Sequence, residues 1–201
     1  MDILTAGIVQ ESRKHQTAIA IHIFALAHAG TAATLAQTEF GDEIFLTILT
    51  VAMLHTIVSI HGGKWTTKFC AAVLGIAGGT VIGVKGAMLL VKWIPFLGNA
   101  ANAAASLFTT EFLGWIAYAL LSSGRNIDNL TDEQKSDIRK IAEDLKNEES
   151  TSRSGRKLYK RMSKDDRRAV DDLLKSIQKN KNEDAPEDIA LKIAGILTKY
   201  A

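Results

Sequence analysis

The chain has a single cysteine, Cys70, and only two prolines, Pro95 and Pro186, in 201 residues. A lone cysteine excludes an intrachain disulfide and any cysteine-based zinc site, and so few prolines leave long stretches free to run as unbroken helix. An excess of charge of one sign is also missing. The 24 Lys+Arg against 22 Asp+Glu give a net charge of only +2, which gives no support to a nucleic-acid binder built on a broadly basic surface. No Gly-x-x-x-x-Gly-Lys-Ser/Thr loop occurs, so the chain carries no phosphate-cradling GTPase motif of its own. Residues 1–17 lack a short apolar core followed by a small-residue cleavage site, and no cleaved secretory signal is expected.

What is present is unevenly distributed. A mean hydropathy of +0.06 suggests one ordinary domain, but the first 125 residues hold 7 of the 24 basic and 6 of the 22 acidic side chains, leaving 17 and 16 to the last 76 residues. Charge so segregated predicts two parts, residues 1–125 and 126–201. The apolar part needs either a large core or lipid to receive it.

Four apolar segments follow one another: Ala18–Ala36, Ile44–Ile60, Phe69–Val91 and Ile94–Leu121. Their lengths sit near the ~20 residues that span a bilayer, so the expectation is an all-α protein. A multi-span membrane domain of two hairpins would precede a small charged helical domain. The loop charges mostly follow the tendency of Lys and Arg to stay cytoplasmic. Arg13, Lys14, Lys64, Lys68 and Arg125 would share one side and Glu39, Asp42 and Glu43 the other, with Lys92 the exception, snorkelling to headgroups. This predicts a bacterial inner membrane location with both termini cytoplasmic; charge alone does not separate two spans from four.

Small residues recur every fourth position in the third segment, at Ala71, Gly75, Gly79, Gly83 and Ala87, and a second stripe, Gly98, Asn102, Ser106, Thr110 and Gly114, runs along the fourth. Such faces let helix backbones approach closely, within a chain or between copies, so a homo-oligomer is expected. Lys85 and Glu111 are the charges deepest in the apolar segments. They are read as a pair across two helices or, with Asn99, as a polar pathway.

The succession Lys92-Trp93-Ile94-Pro95-Phe96-Leu97-Gly98 between a glycine-rich helix and an Ala-rich one resembles a bacterial inner-membrane domain of unknown function found beside or fused to small GTPase domains. The resemblance covers about residues 15–121 and rests on Lys92, Ile94, Pro95 and Gly98, a Lys-x-Ile-Pro-x-x-Gly turn. It implies an accessory membrane module working with a separate GTPase or other cytosolic partner, and no enzyme.

The last part reads as short amphipathic helices. Thr131–Gln134 is a capping box for a helix over about 132–148, with Ile138, Ile141, Ala142 and Leu145 on one face. After a polar break at Thr151–Gly155, Leu158, Tyr159 and Met162 give a turn or two. Ser163 caps a helix bearing Val170, Leu173, Leu174 and Ile177, and Pro186 starts the last, with Ile189, Ile193, Ile196, Leu197 and Tyr200 aligned.

Two groups invite chemistry. His15, His22, His28, His55 and His61 show no spacing that converges three or four ligands, so neither a metal nor another cofactor is expected. Arg153, Arg156, Lys157, Lys160, Arg161, Lys164, Arg167 and Arg168, with Tyr159 among them, form the densest basic cluster, suited to a headgroup, a phosphorylated molecule or an acidic partner, although Asp165, Asp166, Asp171 and Asp172 dilute it. Three functions are open at this stage. One is a non-enzymatic membrane module that presents its C-terminal helices to a partner. The second is an oligomeric channel or membrane-disrupting effector lined by Glu111, Asn99 and Asn102, and the third a membrane-associated enzyme using the histidines.

Overall fold

The computed structural model describes residues 3–35, 42–77, 100–152, 154–179 and 186–200, with side chains placed over 9–30, 48–77, 107–148, 156–177 and 186–200. The described residues are all-helical, with no strand. The α-helices are α1 (Ile3–Leu35), α2 (Asp42–Ile60), α3 (Thr67–Ile76), α4 (Ala100–Ser122), α5 (Asp132–Ser152), α6 (Ser154–Arg161), α7 (Lys164–Lys179) and α8 (Pro186–Leu197), with single 3-10 turns at Ile127–Asn129 and Thr198–Tyr200.

Local chemistry sets the helix ends. Gly62 stands at φ +69°, a conformation that costs a glycine little. There Gly63 N–H donates to the Val58 carbonyl at 2.9 Å and Gly62 N–H to Ser59 at 3.0 Å, the bond pair of a Schellman stop. Thr66 caps α3, its hydroxyl accepting from Phe69 N–H at 3.1 Å. Thr131 and Gln134 form the reciprocal capping box: Gln134 N–H reaches the Thr131 hydroxyl at 3.2 Å and Thr131 N–H the Gln134 side-chain oxygen at 3.0 Å. Thr151 and Ser152 belong to α5 and Ser154 and Gly155 to α6, so these four residues of the expected polar break are helical.

The long α1 is the spine. Helices α2 and α4 pack along it and on each other, α6 and α8 also touch it, α5 lies along α4, and α8 lies on α2. Consecutive residues are buried on all sides of these helices, from Gln16 to Ile21 in α1, Ala52 to Val58 in α2 and Leu113 to Leu120 in α4. A helix apolar all round is either a membrane span or the centre of a larger core.

Here it is the centre of a core. Ile189, Ile193 and Leu197 of α8, Val170, Leu174 and Ile177 of α7, and Ile138 and Ala142 of α5 belong to one hydrophobic cluster with α1, α2 and α4. Each large aliphatic covered in this way contributes ~1.5–3 kcal/mol, whichever apolar medium covers it. Among the described residues no helix is long and apolar enough to cross a membrane. The multi-span membrane domain, the inner-membrane location with cytoplasmic termini, and the transmembrane and channel readings built on them are therefore corrected. The apolar faces are received by protein, and the amphipathic stripes of the charged C-terminal helices supply much of the cover.

Candidate functional site

The basic cluster is mounted on α6 and α7. Helix α6 docks on α1 through half-buried Leu158 and Tyr159, and buried Met162 follows it, which leaves Arg156, Lys157, Lys160 and Arg161 exposed. In α7 the buried Val170, Leu174 and Ile177 face inward, leaving Lys164 and Arg168 exposed and Arg167 half-buried. Among the described residues none of these seven side chains makes an ion pair; Arg153 lies outside the described residues. Of the acids that dilute the cluster, Asp166 is turned to the chain's end. It accepts from Lys199 Nζ at 2.7 Å, the Tyr200 hydroxyl at 2.7 Å and the Ser163 hydroxyl at 2.9 Å.

Tyr159 is the centre of the arrangement. The His22 ring of α1 stands 5.9 Å from its ring, the Arg167 guanidinium lies 5.9 Å from the ring centroid on a cation–π contact, and its hydroxyl points to Asp171 at 3.5 Å. Burial, reinforced by the Arg156 charge, lowers the His22 pKa, so the ring is neutral at neutral pH. Burial, then the Asp171 carboxylate, raises the Tyr159 pKa and keeps the phenol protonated. Among the described residues this is a surface of exposed cations around a half-buried aromatic ring, without an activated nucleophile. Beside it a groove of about 270 Å³ runs between α1 and α7, with Ile23, Leu26, Leu174 and Lys175 on its walls.

The remaining histidines are spread through the fold. His28 is buried, with Nδ1 2.8 Å from the Phe24 carbonyl and Nε2 3.2 Å from the Thr50 hydroxyl. His61 Nε2 lies 3.3 Å from the Thr17 hydroxyl, its ring edge-on to Tyr118. His15 meets Glu11 at 3.1 Å. His55 packs edge-on against Trp65, its Nδ1 buried without a hydrogen-bond partner among the described residues. Among the described residues no three His, Cys, Asp or Glu side chains are grouped to hold a metal. Burial pushes the Cys70 thiol up to about 11, away from thiolate chemistry. A second hollow, of about 430 Å³, is lined by Glu11, Lys14, Tyr118 and Ile141, but its charges are already engaged, Glu11 by His15 and Lys14 by Glu148 at 3.4 Å.

The charges of Glu111 on α4 and Lys146 on α5 act on each other. Lys146 is only 8% exposed, and its ammonium sits 3.4 Å above the Phe108 ring. Lys85 and Asn99, the other members of the expected polar site, lie outside the described residues, as do Gly79, Gly83, Ala87 and Gly98 of the small-residue stripes; Asn102 and Ser106 lie on α4. Ala71 and Gly75 are half-buried on α3, and a Cβ at Gly75 would meet nothing within 4 Å. A Cβ at Gly114 would meet Ile21 Cγ1 at 2.5 Å, so Gly114 marks a close approach of α4 to α1.

Sequence reasoning missed the His22–Tyr159 contact and the Asp166 cluster. The first joins distant parts of the chain and leaves no local signal. The second was legible in part, since Ser163-x-x-Asp166 has capping spacing. Comparison with protein-family models, with curated proteins and with solved structures gave no match to the chain. Lys92, Ile94, Pro95 and Gly98, which carry the resemblance to the GTPase-associated domain, lie outside the described residues.

Proposed function

We propose that the chain is a non-enzymatic helical binding module that offers the basic face of α6 and α7 to an acidic protein partner. The observation that carries this reading is the set of exposed cations Arg156, Lys157, Lys160, Arg161, Lys164 and Arg168. None is paired among the described residues, and all are held on helices whose opposite faces are anchored in the core. Cations clustered on one face of a fixed scaffold steer an oppositely charged surface toward the site. A net charge of only +2 restricts this attraction to one face rather than the whole surface.

The test is fluorescence anisotropy with a labelled oligo-glutamate peptide and the full chain. Binding at low salt that weakens steeply as salt is added is expected. The triple variant Arg156→Glu, Lys157→Glu, Lys160→Glu abolishes it, while Lys140→Glu, at an exposed position on α5, leaves it in place. Absence of binding at low salt, or equal loss with Lys140→Glu, overturns the reading.

A further inference from the structure

We infer that the groove between α7 and α8 packs against the same groove of a second copy, so that the chain forms a twofold dimer through these two helices. Leu173 of α7 and Ile196 of α8 stand half-buried on its walls, with the small residues Ala169 and Gly195 beside them, and the groove measures about 710 Å³. A Cβ at Gly195 would meet nothing within 4 Å. Leu191, one turn before Gly195 and so on its side of α8, adds an exposed aliphatic to the same edge. A trough of small and half-covered apolar residues between two helices gives the side chains of a facing helix pair room to enter and complete the cover.

Charge on the walls selects the occupant. Three charged side chains line the groove: Asp172 on α7, Lys192 on α8 and Lys199 just beyond α8. Lys199 is already held by Asp166 at 2.7 Å. Asp172 and Lys192 are exposed and make no ion pair among the described residues, either with each other or with another side chain. A lining with one free acid on one wall and one free base on the other exerts no net pull on a polyanion, an anionic membrane or a basic partner. It matches a surface that brings a base to the acid and an acid to the base. A second copy related by a twofold axis does this, because in such an interface residue i meets residue j and j meets i. Asp172 of each copy then faces Lys192 of the other.

The area is sufficient for such a contact. At ~1.5 Å per residue the 16 residues of α7 extend about 24 Å, and α8 beside it widens the face to ~20 Å at the usual spacing of packed helices. Two such faces together cover about 1,000 Å², the lower bound of a specific interface. A contact of that size makes a dimer that forms with rising concentration rather than an obligate one.

The test is sedimentation velocity of the full chain over a concentration series at low salt. The unaltered chain is expected to move from 21.8 kDa toward twice that mass as concentration rises. Asp172→Lys and Lys192→Glu, both at exposed positions, should each weaken the dimer by about tenfold, because each replaces two attractions with two repulsions. Mixing the two variants should restore association, since one chain then carries a base at both positions and the other an acid at both. A chain that stays at 21.8 kDa throughout the series overturns the dimer. Single variants that associate as strongly as the unaltered chain, or a mixture that stays as weak as its components, overturn the placement of the contact at this groove.

Discussion

The Tyr200 hydroxyl donates to Asp166 Oδ2 at 2.7 Å and at the same time accepts from the backbone N–H of Ser163 at 2.9 Å. The 3-10 turn Thr198–Tyr200 is thereby tied to the N-terminus of α7, the helix that carries Lys164 and Arg168 of the basic face. Hydrogen bonds from Lys199, Tyr200 and Ser163 pull the Asp166 pKa down to about 2. For a carboxylate lowered in this way, the stabilisation is complete above its ordinary value near ~3.9 and is lost as pH falls through about 2. Asp166→Asn is expected to melt lower than the unaltered chain at pH 7, with the gap closing toward pH 2. Tyr200→Phe, which deletes one hydroxyl, should cost about 1 kcal/mol. Thermal unfolding at the two pH values checks both, and a gap that stays constant with pH would remove the carboxylate from the account.

Glu111 carries a testable conflict between burial and charge. Burial raises its pKa and Lys146 opposes the rise, with burial the larger effect. A raised carboxyl pKa means that the folded state holds the proton more tightly than the unfolded one, so stability falls as pH rises through and above the ordinary carboxyl range. Glu111→Gln should therefore raise the melting temperature by a few degrees at pH 7 and change nothing near pH 3. The Lys146 ammonium keeps its seat over Phe108 in that variant. A lower melting temperature at pH 7 would show that the attraction to Lys146 outweighs the cost of burying the carboxylate.

Helix starts were legible because their signals are local. Thr131 and Gln134 meet within one turn, and Ser163 and Pro186 stand where the sequence places the next helices. The medium around α1, α2 and α4 was not legible, because a segment apolar on all sides reads the same whether lipid or protein receives it. What decides is the partner of each face. The stripe Ile189, Ile193 and Leu197 was visible in the sequence, but nothing in it specifies that α8 lies on α2. The basic cluster was likewise visible as composition. Its organisation around Tyr159 depends on His22, which reaches the site only through the packing of α6 on α1.

His61 sets a pH limit on the joint between α1, α2 and α4. Burial, then the charge of Arg13, lowers its pKa to about 4. The unfolded chain binds the proton near the ordinary value of ~6.5, so stability is full above that value and declines as pH falls from ~6.5 to about 4. With solvent screening of a partly exposed ring the contribution is about 2 kcal/mol. His61→Gln, which can still hydrogen-bond Thr17, should flatten the fall in stability over this window. Denaturant midpoints at pH 7 and pH 4.5 measure it, and an undiminished slope in the variant would assign the sensitivity to the other histidines.

The two glycines Gly75 and Gly114, both read in the sequence as members of small-residue stripes, should respond to alanine with opposite signs. Alanine gains ~1 kcal/mol over glycine in a helix interior, and at Gly75, in the last turn of α3, where the added Cβ meets nothing within 4 Å, a part of that gain should appear as stabilisation. At Gly114 the Cβ would stand 2.5 Å from Ile21 Cγ1 and 2.8 Å from Cδ1, in a buried β-branched side chain with little rotamer freedom. Overpacking costs of ~1–3 kcal/mol then exceed the helix gain, and Gly114→Ala should be destabilised by about 1–2 kcal/mol. Ile21→Ala alone opens a cavity, at ~2–5 kcal/mol. The double variant should lose less than the sum of the two, because the new methyl occupies the space that Ile21 leaves. Chemical denaturation of all four chains closes the cycle. Strict additivity would mean that α1 and α4 do not meet at this pair, and would place the close approach of the two helices elsewhere.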